Sequence, residues 1–153
     1  MGYSTDFFGS FEIDRPVDKE TAKLLKGLAT TRRMKRNIEG YGIEGEFYVN
    51  GSGDFGQGRE DNIVDYNEPP STQPGLWCQW ILLDDNQTIE WDGGEKFYYY
   101  IEWVEYIINS ILKPRNYILN GEVEWHGEEY DDIGKIIVKD NNVQVLNGYI
   151  TFE

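Results

Sequence analysis

The chain has 153 residues, with 14 Lys and Arg against 28 Asp and Glu, a formal net charge of −14 at pH 7. That length supplies one core, so a single domain over residues 1–153 is expected, and the acidity argues against direct nucleic-acid binding, whose electrostatic footprint is basic. Five Trp, eleven Tyr and seven Phe are too many large rings for a disordered acidic tail.

Phe7, Phe11 and Ile13 fall on one side of an extended chain, which predicts a first strand ended by Pro16. Asp18 can cap a helix running to about Ala29, because Val17, Thr21, Leu24, Leu25 and Leu28 share one helical face. A basic run, Arg32, Arg33, Lys35 and Arg36, follows it. Glu46 to Asn50 reads as a strand entering a loop with Gly51, Gly53, Gly56 and Gly58, and Ile63 to Tyr66 as a short strand beyond. Pro69, Pro70 and Pro74 mark a connector before Leu76 to Leu83, whose nearly continuous apolar character suits a buried central strand. Asp84 to Gln87 then reads as a turn, with Thr88 to Trp91 returning.

Asp92 and Glu95 are spaced as a capping box, predicting a long helix that Pro114 stops. Its core face holds Phe97, Tyr100, Ile101, Val104, Ile107, Ile108, Ile111 and Leu112. Glu122 to His126 alternates as a strand, and Lys135–Val138 and Val143–Leu146 flank Asp140-Asn141-Asn142 as a hairpin. Hairpin connections dominate this order, so the fold class expected is α+β, a mainly antiparallel sheet with two helices packed on it.

The segments Thr30–Arg36, Gln73–Trp80 and Ile89–Tyr98, with the later Asn120–Trp125, resemble a group of small acidic proteins of bacteria and their phages. The resemblance implies a bacterial or phage setting, where defence, counter-defence and toxin-neutralising roles arise. It brings no catalytic residue with it.

No apolar run approaches the roughly 18 residues that cross a bilayer, and Met1 to Asp6 lacks a cationic segment followed by an apolar one. The expectation is a soluble cytoplasmic protein with no membrane contact and no cofactor. Cys78 is the only cysteine and His126 the only histidine. Intrachain disulfides, cysteine zinc clusters and two-histidine sites are therefore excluded within one chain.

The basic run has two readings. It can complement the carbonyl end of the first helix, or Arg32, Arg33, Lys35 and Arg36 can fork onto a phosphate while Trp77, Trp80 or Trp91 stacks a base. Glu122, Glu124, His126 and Glu128 share one strand face about 7 Å apart, a weak metal candidate beside the plainer reading of a solvated face. Cys78 lies in an apolar stretch and reads as a small buried hydrophobe. Tyr99, Trp103 and Tyr106 form a second helical stripe, bordered by Glu95, Glu102 and Glu105, that would suit a cationic partner if other parts of the chain leave it uncovered.

Charge decides between these readings. Residues 1–36 hold eight basic and five acidic side chains, a net of +3, while residues 37–153 hold six and 23, a net of −17. The leading expectation is a non-enzymatic acidic interaction protein that inhibits or neutralises a basic partner, nucleic-acid-handling or toxin. The alternative is a nucleotide- or phosphate-binding module or hydrolase built on Arg32–Arg36 and the tryptophans.

Overall fold

The computed structural model describes residues 2–36, 56–59, 61 and 63–149. The strand expected at Glu46 to Asn50, and Gly51 and Gly53 of the loop after it, lie outside the described residues.

Six strands form one antiparallel sheet: β1 (Thr5–Ile13), β4 (Trp80–Leu82), β5 (Thr88–Trp91), β6 (Leu119–Gly127), β7 (Ile133–Lys139) and β8 (Asn142–Asn147). Their spatial order is β4-β5-β1-β6-β7-β8, and a separate small ribbon pairs β2 (Lys35–Arg36) with β3 (Ile63–Asp65). Helix α1 spans Lys19–Thr30. Helix α2 spans Tyr100–Tyr106, widens into π-helical turns over Ile107–Leu112 and tightens to a 3-10 turn over Lys113–Arg115. The fold is α+β, as the pattern of hairpins predicts.

Alternation along β1 buries Thr5, Phe7, Phe11 and Ile13 and leaves Asp6, Phe8 and Glu12 exposed, so one face of the sheet carries the core. Phe7 sits at its centre, with ring centroids of Trp80, Trp91, Phe97 and Tyr100 at 5.3, 5.4, 5.6 and 5.0 Å in edge-on arrangements. Such edge-on pairs add to the roughly 1.5–3 kcal/mol that burial of one large apolar side chain contributes. Val123, Trp125, Ile136 and Val138 extend the same face across β6 and β7. Between β1 and β6 the backbones come close at Gly121, where an added Cβ would lie 2.5 Å from the Ser10 carbonyl oxygen at a φ of +141°.

Asp18 caps α1, its carboxylate accepting from the Thr21 N–H at 2.7 Å, while its own N–H donates to the Tyr117 hydroxyl at 3.0 Å. The predicted start and face of this helix match: Thr21, Leu25 and Leu28 are buried. They pack toward β4 and the π-helical segment.

Two expectations are corrected. Leu76 to Leu83 is not a central strand. Only Trp80–Leu82 pairs, and β4 is a sheet edge. Gln79 O still accepts from Asp92 N at 3.0 Å in line with the β4–β5 register, but farther back the backbone bonds elsewhere, Leu76 O accepting from Arg33 N at 2.7 Å. Its apolar character reflects cover from the helices. Nor does the second helix begin at Asp92. Asp92 accepts from Gly94 N at 2.7 Å in a local turn, Gly93, Lys96 and Tyr99 all have positive φ, and α2 starts only after Tyr99 with no side-chain cap. A helix cannot propagate through left-handed residues, so Phe97 reaches the core from an irregular segment instead.

Candidate functional site

The basic run proves to be an internal tie. Arg33 is buried, its Nε donating to Gln73 Oε1 at 3.3 Å, and Gln73 Nε2 donates in turn to the Tyr106 hydroxyl at 3.0 Å. Arg36 is buried and donates to the Gly56 carbonyl at 3.2 Å. Arg32 gives both Nε and Nη2 to the Tyr66 carbonyl, each at 3.2 Å, and its guanidinium lies 5.9 Å from the Trp77 ring centroid. The Lys35 N–H donates to the Glu68 carbonyl at 2.7 Å, with its side chain exposed. Buried Arg33 thereby fixes the Pro-rich connector against α2 by way of Gln73 and Tyr106. The two-point phosphate grip expected of Arg33 and Arg36 is thus corrected: their heads are committed inside the chain.

That connector forms one wall of a cleft of about 550 Å³. Pro69, Pro74, Leu76 and Trp77 face Lys96, Tyr98 and Tyr99 of the irregular segment before α2, with Gln79 also lining it. The second wall is held by Tyr98, whose hydroxyl accepts from the Tyr3 N–H at 3.0 Å, and by Gln79 Nε2, which donates to the Glu95 carbonyl at 3.0 Å. Gly75 lets the walls meet, since a Cβ there would lie 3.1 Å from the Tyr99 ring and 3.7 Å from Trp103 Nε1. Two buried polar atoms, Gln79 Oε1 in the cleft wall and Trp103 Nε1 behind Gly75, have no hydrogen-bond partner among the described residues. Such groups gain free energy from any ligand or side chain that satisfies them.

Tyr3 joins this wall to a dense acidic turn. Its hydroxyl donates to Asp132 at 2.7 Å and accepts from Glu129 N at 3.1 Å, while Ser4 N donates to Glu128 Oε1 at 2.6 Å. Asp132 also accepts from Trp125 Nε1 at 3.0 Å. Glu95, Glu102, Glu128, Glu129 and Asp131 are all exposed. Of the carboxylates at the β6–β7 turn, Glu128 and Asp132 are oriented by N–H and O–H donors, and among the described residues no carboxylate of that turn is paired with a cation. Desolvation raises Asp92, and Tyr100 beneath the turn is pushed up to about 12, first by burial and then by the charges of Asp132 and Glu102.

The remaining expected site residues are dispersed. Trp80 is buried, donating to the Tyr100 carbonyl at 2.9 Å, and Trp91 is partly buried against the core and donates to the Gly94 carbonyl at 3.2 Å. Stacking on Trp80 is therefore corrected, and Trp77 alone of the three lines the cleft. The chain itself covers most of the aromatic stripe: Trp103 is 0% exposed and Tyr106 buried, their rings edge-on at 5.4 Å, whereas Tyr99 is 58% exposed. Glu102 and Glu105 remain on the surface. Glu122 pairs with Lys135 at 3.1 Å and Glu124 with His126 at 3.1 Å. Among the described residues no group of three or more acidic, histidine or cysteine side chains is placed to hold a metal. Cys78 is buried as expected, and desolvation pushes its thiol up to about 12.

Tyr98, Gln79 and the prolines carry much of the cleft and were not singled out by spacing. The signal available was compositional: two Pro-rich turns followed by consecutive tyrosines beside glycines, a combination that marks irregular backbone with exposed rings. Comparison with family models, curated proteins and solved structures gives no match. The site is read from its own geometry. Among the described residues no helix is long and apolar enough to cross a membrane.

Proposed function

We propose that the chain is a non-enzymatic acidic interaction protein that occupies a basic partner, such as a nucleic-acid-handling or toxin protein, and blocks it. The observation that carries this reading is the carboxylate turn at Glu128, Glu129, Asp131 and Asp132, with no cation paired to it among the described residues and tied through Tyr3 to the aromatic cleft. Long-range attraction brings a cationic surface to that end. The cleft then receives an apolar or aromatic side chain beside Trp77 and Tyr99, which both line it. Tyr99 and Glu102 keep the partner-facing role; Trp103 and Tyr106 support it from inside. The buried lone thiol of Cys78 suits the reducing cytoplasm where this reading places the protein.

Capture from a bacterial lysate at low and high salt tests it, comparing the native chain with a Glu128→Gln, Glu129→Gln, Asp131→Asn variant. Retention of basic proteins that falls with salt and with the neutralised turn is expected. No basic protein retained at low salt overturns the reading.

The small-ligand alternative keeps one favouring observation, the exposed edge of Trp77 in a cleft of about 550 Å³, a volume in the range of small-molecule sites. Its phosphate contact would fall to Arg32 and Lys35. Nucleotide titration followed by tryptophan fluorescence separates the two, a saturable response lost on Trp77→Ala favouring the pocket.

A further inference from the structure

Strand β8 is the outermost strand on its side of the sheet, and its sequence, Asn-Val-Gln-Val-Leu-Asn, contains no charge and no proline. Natural sheets blunt such edges with lysine, proline, a bulge or brevity. The opposite edge, β4, is three residues long. β8 has none of these protections over its six residues, and Val145 and Leu146 are 37% and 43% exposed.

Hairpin geometry fixes which backbone groups are open. The two turn residues, Asp140 and Asn141, both have positive φ, 50° and 68°, the tight turn that closes on a hydrogen-bonded pair, here Lys139 and Asn142. Bonded pairs then recur every second residue, so Gln144 and Leu146 also exchange bonds with β7. Gly148 N donating to Ile133 O at 2.8 Å continues the same phase. The N–H and C=O groups of Val143, Val145 and Asn147 therefore point away from β7, and no described strand pairs with them.

We infer that this edge pairs with a second copy of itself, β8 against β8 antiparallel about a two-fold axis at Val145, joining two six-stranded sheets into one of twelve. The register is self-complementary. Outward residues must meet outward residues, and centring on Val145 matches all three: Val145 with Val145 of the second copy, and Val143 with Asn147 in both directions. Each pair exchanges two backbone bonds. Gln144 and Leu146 face one another between them, and no charged side chain lies within the paired stretch. The −14 net charge of each copy opposes approach, so association strengthens as salt rises, opposite to the salt response of basic-partner binding.

Cross-linking reads the register directly. In a hydrogen-bonded antiparallel pair the Cα atoms are about 5.5 Å apart, within disulfide range. Val145→Cys is expected to form a covalent dimer under mild oxidation, whereas Gln144→Cys, which faces Leu146 and not itself, associates without cross-linking; buried Cys78 does not interfere. Equilibrium sedimentation of the native chain is expected to show a mass rising toward double with concentration and salt, and Val145→Lys, which apposes two ammonium groups, to remove that rise. Circular dichroism checks that each variant is folded. A native chain that stays monomeric at high concentration and salt overturns the inference, as does equal cross-linking of both cysteine variants.

Discussion

Removing the Asp132 carboxylate tests how the acidic end is built. Asp132 accepts from Tyr3 at 2.7 Å and from the Trp125 indole at 3.0 Å, and Trp125 is buried in the core. Asp132→Ala strands that indole N–H, at about 1–3 kcal/mol. Tyr3 can turn to water, so its loss adds only about 0.5–1 kcal/mol, for a total of roughly 1.5–4 kcal/mol. Asp132→Asn keeps an acceptor for one of the two donors and should cost roughly half as much. For a chain of this size each kcal/mol moves Tm by about 2–4 °C. Urea unfolding followed by tryptophan emission gives both values, and amide exchange should show residues 2–4 loosened in the Ala variant. Asp132→Ala within about 0.5 kcal/mol of the native chain, or no less stable than Asp132→Asn, would refute the argument.

Acid should destabilise the fold through three aspartates held below their usual range: Asp14, first by the Ile118 N–H and then by Arg15, Asp18 by the Thr21 N–H, and Asp85 by the Thr88 hydroxyl. A depressed folded value gives stabilisation present above about pH 4 and lost as pH falls through it. Asp92, raised by desolvation, acts with the opposite sign. Asp18→Asn keeps a capping oxygen and should flatten the acid limb of a stability–pH curve. Cys78 should resist thiol reagents at neutral pH until the chain unfolds, then react fully, which a chromogenic disulfide reads with and without urea. Gly121→Ala should be destabilising by more than about 1 kcal/mol, because its φ of +141° and the Ser10 oxygen at 2.5 Å both exclude a Cβ; a Tm unchanged from the native chain would contradict the close approach of β1 and β6.

The elements that could be read in sequence are those whose side chains repeat. β1 alternates, α1 shows an apolar face behind a capping Asp, and Asp140-Asn141 sits between two apolar runs; each maps onto the structure. Residues 92–99 could not be read that way. Phe97 and Tyr100 fit a helical period continued backward, but the positive φ of Lys96 and Tyr99 leaves no trace in hydropathy. Leu76 to Leu83 misled for a related reason, since apolar content reports burial and not pairing. Within the site, Trp77 and Tyr99 were legible as aromatic candidates. That both line one cleft, with Tyr99 against Gly75, was not, because it depends on Gln73 reaching Arg33 and Tyr106 from distant parts of the chain.

The wide turns at Ile107–Leu112 alter how this rod tolerates insertions and deletions. Lys113 N bonds five residues back, to Ile108 O, so the segment stores one residue beyond an α-helical path. Each residue turns an ordinary helix by about 100°, which already sets Ile107, Ile108, Ile111 and Leu112 on one side, and all four stay buried in the wider turns. Excising exposed Asn109 would remove the surplus and restore regular winding while the flanks keep their faces, so Tyr117 should keep its hydroxyl on the Asp18 N–H.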